Sequence, residues 1–413
     1  MRNHRSLLLL LLSLPLPARA ALTPVGSPLV IPDSSFCAFN TQLEVTATPA
    51  GAFEVIWADD GDELVKGLRY TRGLLPTGSP QTLLPIHGGL FFSDFIGTWA
   101  GRYEVALNAM DLDDNPDDPA AGYRLSLDLA GNLLAPAGRF KPPHFFKLAP
   151  AANGDSLQFR IEPPIFGSAS CPSEGLLARR IDASGAALSA ESRITRKASA
   201  FALGNQFQAA RLPDDTFVVA YATCDKLTGI VARRLSSTGA PIGKPINLPL
   251  PDRVGNFSEG GLVLAARSGS DFVAGATLLN PSTGLSGSYT RGVVNGQVFG
   301  PTLIPTPPGA ISLPRLIDLA ASPAGGYLLL FVIDAGNPAH LTLFAQELDA
   351  KGVPQGSAVA VAAELNELGA SSDIFAAAAS LPNGRWIVVA RVQNHKDSNT
   401  CSEQMVGTVL KSN

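Results

Sequence analysis

A four-strand pattern recurs along this chain, and it constrains the fold more than any other feature of the sequence. Its clearest copy spans residues 207–249. Phe207 to Leu212 alternates and stops at Pro213-Asp214-Asp215, and Thr216 to Ala222 follows. Ile230 to Leu235 comes after a loop, and Thr238-Gly239 then turns into Pro241 to Pro249. Each run is short, β-prone and bounded by Gly, Pro or Asp, the residues that punctuate strands. The first turn recurs as Pro49-Ala50-Gly51, Ala152-Asn153-Gly154, Arg267-Ser268-Gly269, Pro323-Ala324-Gly325 and Pro382-Asn383-Gly384. A large apolar residue stands near the start of the second run: Phe53, Tyr103, Leu157, Phe217, Phe272, Tyr327 and Trp386, spaced 50 to 60 residues apart. The third run recurs as Leu176 to Ile181 and, more loosely, as Leu343 to Leu348.

Seven copies of about 56 residues fill the chain beyond residue 20. Four antiparallel strands repeated seven times predict an all-β fold, a seven-bladed β-propeller. One such unit cannot bury both its faces, so neighbours must stack and the ring must close. Blades are expected near 42–85, 91–140, 144–194, 206–249, 261–304, 315–361 and 374–411. The last copy ends after its third run, and Val25 to Pro32 resembles the fourth-run segment Thr77 to Pro85. The N-terminal strand, residues 25–32, is therefore expected to complete the last blade in a 3+1 closure that covers an open sheet edge. A β-sandwich or two smaller β domains is the alternative. Ala358 to Leu368 admits a short helix, but the repeat register reads it as a fourth strand and a loop.

Composition agrees with a turn-rich β fold. The chain holds 40 Gly and 33 Pro, and only 16% of its residues are charged. It is too apolar for a disordered tail and lacks the Glu, Lys and heptads of a coiled coil. A formal net charge of −4 argues against a nucleic-acid partner, which would call for a basic footprint.

Arg2 and Arg5, the apolar run Leu7 to Leu16, and Ala18-Arg19-Ala20 form the three parts of a secretory leader, with cleavage expected before Ala21. The run is too short to span a bilayer, and no other stretch approaches the ~18 apolar residues that a spanning helix needs. Losing Arg2, Arg5 and Arg19 takes the formal net charge from −4 to −7. The protein is expected to be exported, to the periplasm or beyond the cell, as one domain over 21–413. Four Cys in an exported chain predict two disulfides. Alternating strand direction puts second-to-third and blade-to-blade loops on one face. Cys171, Cys224 and Cys401 fall in the former and Cys37 in the latter. Cys37 and Cys401 flank the closure and Cys171 and Cys224 lie on adjacent blades, so Cys37–Cys401 and Cys171–Cys224 are the expected pairs.

The pattern L-P-D/N-G-x-F-V-V … V-A-R-R-L-D/S-x-x-G-x-P-x-G is carried best by 212–243 and 381–389, with 178–185 for the third run. It resembles the repeats of secreted bacterial β-propeller proteins. That resemblance implies the fold and an exported location, and no activity. WD-repeat Gly-His/Trp-Asp pairs and sialidase boxes are absent.

No catalytic set assembles in the sequence. No G-x-S-x-G is present, and His87, His144, His340 and His395 have no zinc-ligand spacing. His87 and His144 fall in or near blade-to-blade loops on the Cys-bearing face. One loop is rich in oxygen ligands: Asp111, Asp113, Asp114, Asn115, Asp117 and Asp118 suit Ca²⁺, a hard cation that takes 6–8 oxygens. The preceding blade carries Asp59-Asp60-Gly61-Asp62-Glu63 in its corresponding loop. An exposed acidic turn without metal is the alternative. The Arg179-Arg180 and Arg233-Arg234 pairs should point to opposite faces of their strands and bond adjoining blades. The leading reading is a non-enzymatic binding or scaffold propeller with a protein, glycan or small-molecule ligand at one face. The alternatives are a hydrolase or lyase whose acids, among them Asp94, Asp252, Asp318 and Asp373, converge at the channel mouth, and a calcium-stabilised cell-surface module.

Overall fold

The second runs of the repeat become strands packed on both sides, buried throughout at 217–221, 272–278 and 327–333. The computed structural model describes residues 22–32, 43–59, 64–85, 90–99, 102–109, 121–128, 132–134, 138–140, 146–151, 155–161, 175–182, 184–195, 207–222, 229–251, 256–267, 271–279, 286–310, 312–334, 341–362, 376–397 and 400–412. Among them the strands form seven antiparallel sheets, and no helix is present.

Two short strands come first, β1 (Thr23–Pro24) and β2 (Leu29–Val30). Sheet 1 follows as β3 (Leu43–Ala47), β4 (Phe53–Asp59), β5 (Leu64–Tyr70) and β6 (Gln81–Pro85). Sheet 2 holds β7 (Leu90–Trp99), β8 (Arg102–Ala109), β9 (Ala121–Asp128) and β10 (Gly138–Phe140). Sheet 3 holds β11 (Phe146–Pro150), β12 (Ser156–Ile161), β13 (Leu176–Ile181) and β14 (Ser192–Thr195). Sheet 4 holds β15 (Phe207–Arg211), β16 (Phe217–Ala222), β17 (Gly229–Leu235) and β18 (Pro241–Pro249). Sheet 5 holds β19 (Asn256–Ala266), β20 (Phe272–Leu279), β21 (Ser286–Val294) and β22 (Gln297–Leu303). Sheet 6 holds β23 (Arg315–Ala321), β24 (Tyr327–Asp334), β25 (Leu341–Leu348) and β26 (Pro354–Ala362). Sheet 7 holds β27 (Ala376–Leu381), β28 (Arg385–Asp397) and β29 (Thr400–Lys411), and both N-terminal strands pair along the outer edge of β29. Leu29 stands opposite Gly407 and Val30 opposite Val406, and the Ile31 amide donates to the Met405 carbonyl at 3.1 Å.

The arrangement is propeller-like. First strands stand side by side in sequence order, β3 by β7, β7 by β11, β11 by β15, β15 by β19, β19 by β23 and β23 by β27. β27 also stands by β3. Period-2 alternation sends side chains to the two neighbours in turn. In β24, Leu328, Leu330 and Val332 pack with Trp386 and Val388 of sheet 7. Tyr327, Leu329 and Phe331 pack with Val263 and Val273 of sheet 5. A strand buried on both faces reads as one apolar run, and this is why charge is scarce in the composition.

Close approach between sheets requires glycine at particular places. A Cβ on Gly292 of β21 would stand 2.3 Å from the Lys351 carbonyl carbon in the turn of sheet 6. Gly239 has φ +88° and packs against Ala178 and Leu157 of sheet 3.

Details differ from the sequence expectation. Ser156, not Leu157, takes the register position held by Phe53 and Phe217, because all three turns leave five residues between the paired ends, and in sheet 3 that count falls on Ser156. Sheet 5 starts at Asn256 rather than 261, because 258–261 bulge out opposite Thr277 and pairing resumes before them. Cys401 lies within β29 opposite His395, not in a loop, because β28 and β29 continue as a two-stranded ribbon past the end of β27.

Candidate functional site

The first strand of each sheet is the natural place to look for a site, because these strands stand side by side from sheet to sheet. A shared register level stands out there. It is the residue opposite the third position after Phe53, Tyr103, Ser156, Phe217, Phe272, Tyr327 and Trp386. The occupants are Glu44, Phe95, Lys147, Gln208, Val263, Asp318 and Ala377. Asp94 precedes Phe95 as an unpaired bulge residue. Polar residues thus occupy this level on four of the seven first strands. Each of Glu44, Lys147, Gln208 and Asp318 follows a large apolar residue (Leu43, Phe146, Phe207, Ile317), a sequence signal separate from the turns and apolar runs that mark the repeat.

Asp318 has the clearest geometry. Leu316 pairs with Phe331 and Asp318 with Leu330, leaving Ile317 as a bulge. Bulges re-aim side chains, and here the carboxylate reaches the next first strand. Its Oδ2 accepts the Ala378 amide of β27 at 2.9 Å, and its Oδ1 accepts the Leu319 amide at 2.7 Å. Desolvation pushes the Asp318 carboxyl above its ordinary range, and the two amide bonds partly oppose that rise. The start of β23 is held from sheet 5. The Leu316 amide donates to Thr277 Oγ1 at 2.9 Å, Thr277 shares a hydrogen bond with Ser288 Oγ, and Ser288 donates to the Pro314 carbonyl.

The Arg pairs also join sheets, with one correction. Arg180 of sheet 3 donates to Asp155 at 2.9 Å, and crosses to Asp215 and the Ser237 carbonyl of sheet 4, each at 3.1 Å. Arg233 of sheet 4 crosses back to the Ile194 carbonyl at 2.6 Å. Arg179 and Arg234 stay within their own sheets, on Gln158 and on Asp214 with Thr216. Short acceptors on the same sheet capture the guanidinium before it can reach a neighbour. Arg291 of sheet 5 bonds the Pro249 carbonyl of sheet 4.

Of the residues singled out in the sequence, Asp318 lies in β23 and Asp94 in β7, four sheets apart along the chain. Cys401 and His395 are register partners in the sheet 7 ribbon. Cys37, Cys171, Cys224, the loop Asp111, Asp113, Asp114, Asn115, Asp117 and Asp118, the acids Asp252 and Asp373, and His87, His144 and His340 lie outside the described residues. Among the described residues no group of three or more His, Cys, Asp or Glu is placed to hold a metal ion. No helix among them is long and apolar enough to cross a membrane. What the described polar groups can do is hold sheets together: each acceptor on Asp318 and each donor on Arg180 named above is engaged with backbone or a partner side chain.

No protein-family model matches the chain, and no curated protein matches it. Among solved structures, it is similar to a protein of unknown function from Dyadobacter fermentans, at 12% identity and TM-score 0.50, over 96% of this chain and 100% of that one. It aligns at 11% identity and TM-score 0.44 with an ulvan lyase, over 94% of each chain. With a prolyl endopeptidase the figures are 14% and 0.45, over 87% of this chain and 45% of that one. Identities this low speak to fold alone.

Proposed function

We propose that the chain is an exported seven-bladed β-propeller, closed 3+1 by residues 23–31, that serves as a binding or scaffold module. Its ligand, a protein, glycan or small molecule, sits at the face carrying the second-to-third and sheet-to-sheet connections. The observation that carries this reading is the contrast between connections. On the other face first-to-second connections are 2–5 residues long and third-to-fourth connections reach 10, whereas second-to-third connections reach 14 and sheet-to-sheet connections reach 13. Recognition concentrates on long loops displayed by a rigid scaffold. The pairing of β1 and β2 with β29, and the side-by-side placement of the first strands, support the ring.

Two disulfides, Cys37–Cys401 and Cys171–Cys224, belong to the proposal. The Ile31–Met405 contact supports the first, since Cys37 follows Ile31 by six residues and Cys401 precedes Met405 by four. A hydrolase or lyase is the second reading, favoured by the placement of Asp94 and Asp318 on first strands beside bulges. Incubation of immobilised mature protein with neutral and anionic polysaccharides and with extracellular protein fractions separates the two. Retention of a ligand released chemically unaltered supports the module. Appearance of shortened or unsaturated products overturns it.

A further inference from the structure

One buried carboxyl group takes no part in these sheet-to-sheet bonds. Glu54 lies in β4, with Thr46 of β3 on one side and Arg69 of β5 on the other. Phe53, Val55 and Trp57 pack toward sheet 7, so alternation turns Glu54 to the opposite face, toward sheet 2. It is 2% exposed, and its Oε2 has no hydrogen-bond partner among the described residues. The fold makes room for it. A Cβ on Gly67 would stand 3.1 Å from Glu54 Oε1 and 2.9 Å from Leu83 Cδ1 of β6.

We propose that Glu54 is a proton-operated clasp on the seam between sheets 1 and 2, closing it when neutral and loosening it when ionised. The groups around it make the balance lopsided. Arg69 is its one cation on sheet 1, and Thr46, Gly67 and Leu83 bring no charge. From sheet 2 comes Asp128 of β9, a like charge that also holds Asn132. In β8 the ladder sets Arg102 opposite Asp128 and Glu104 opposite Ser126. Burial is the largest influence on Glu54, Arg69 opposes it and Asp128 adds to it, and together they push its pKa up to about 7. A buried carboxylate without a full set of partners costs far more than its neutral form.

The sign follows from linkage. With the seam closed Glu54 titrates near 7, and with the seam open it returns to its ordinary 4.5. Opening therefore releases a proton between those values. The opening constant rises with pH by up to about tenfold per unit across that window and levels off above it. The seam is tight in mildly acidic surroundings and loosest from neutral pH upward.

Hydrogen–deuterium exchange of the full mature chain from pH 4.5 to 8.5, corrected for intrinsic rates, tests this. Amides of β4, β5, β8 and β9 should lose protection as pH rises to about 7 and then plateau, by up to tenfold per unit. Glu54→Gln should flatten that slope, and amides at the seam of sheets 3 and 4 should show none. An unchanged slope in Glu54→Gln, or no slope in the wild type, overturns the proposal. The wild-type profile decides alone if the variant does not fold.

Discussion

Asp318 shows how a single polar residue earns a place among apolar neighbours on a strand. The first strand of a sheet leaves one row of amides without a ladder partner, and its carboxylate accepts one such amide, from Ala378. Replacing it with Ala strands that amide and the Leu319 amide. Asp318→Ala should lower unfolding free energy by about 1–3 kcal/mol in denaturant titration. A loss within error would mean that the contact is idle. Such a role is hard to read from sequence, because it depends on the Ile317 bulge, and a bulged Ile looks like any other apolar strand residue. The polar level itself was legible in principle, since Glu44, Lys147 and Gln208 each sit second in a first strand.

At the scale of elements, strands and turns were legible because period-2 apolar runs alternate with turn residues whose chemistry is local. Of residues 358–368, which admit a short helix by sequence, 358–362 belong to β26, because the register of sheet 6 supplies ladder partners from Leu343 to Leu348, and 363–368 lie outside the described residues. What local chemistry does not carry is the end of a strand: the sheet 7 hairpin runs on to Asp397 and Thr400, and this puts Cys401 in a strand. The Arg pairs divide in a way that depends on neighbours. Arg180 bridges sheets 3 and 4 with side-chain exposure of 12%, while Arg234 pairs with Asp214 at 30% and 51%. Arg180→Met should therefore cost about 2–3 kcal/mol by leaving Asp155 and Asp215 short of a partner. Arg234→Met should cost less than about 1 kcal/mol. Equal losses in urea unfolding would contradict the assignment of Arg180 as the inter-sheet tie.

For the whole molecule, the repeat period carried the architecture, and the function lay beyond it. The long connections on the proposed binding face differ from copy to copy, so no period reports on them. The same face holds the proposed disulfides. A Cys171–Cys224 bridge would contribute roughly 4 kcal/mol in the chain-entropy model. Reductant should then lower the melting temperature of the mature protein, and Cys171→Ser with Cys224→Ser should reproduce most of that fall. A melt insensitive to reductant would remove the bridge from the account.

The central claim is that the two ends of the chain share one sheet and so close the ring. Ile31 and Met405 are joined by a backbone hydrogen bond, so Val30 and Val406 form the adjacent, more closely spaced pair of the ladder. In a background with Cys37 and Cys401 changed to Ser, Val30→Cys with Val406→Cys should oxidise to a single intramolecular disulfide. Peptide mapping should find residues 30 and 406 joined. The one-residue register control, Val30→Cys with Met405→Cys, should stay reduced under the same conditions. Free thiols at 30 and 406, or equal cross-linking in the control, would contradict the closure.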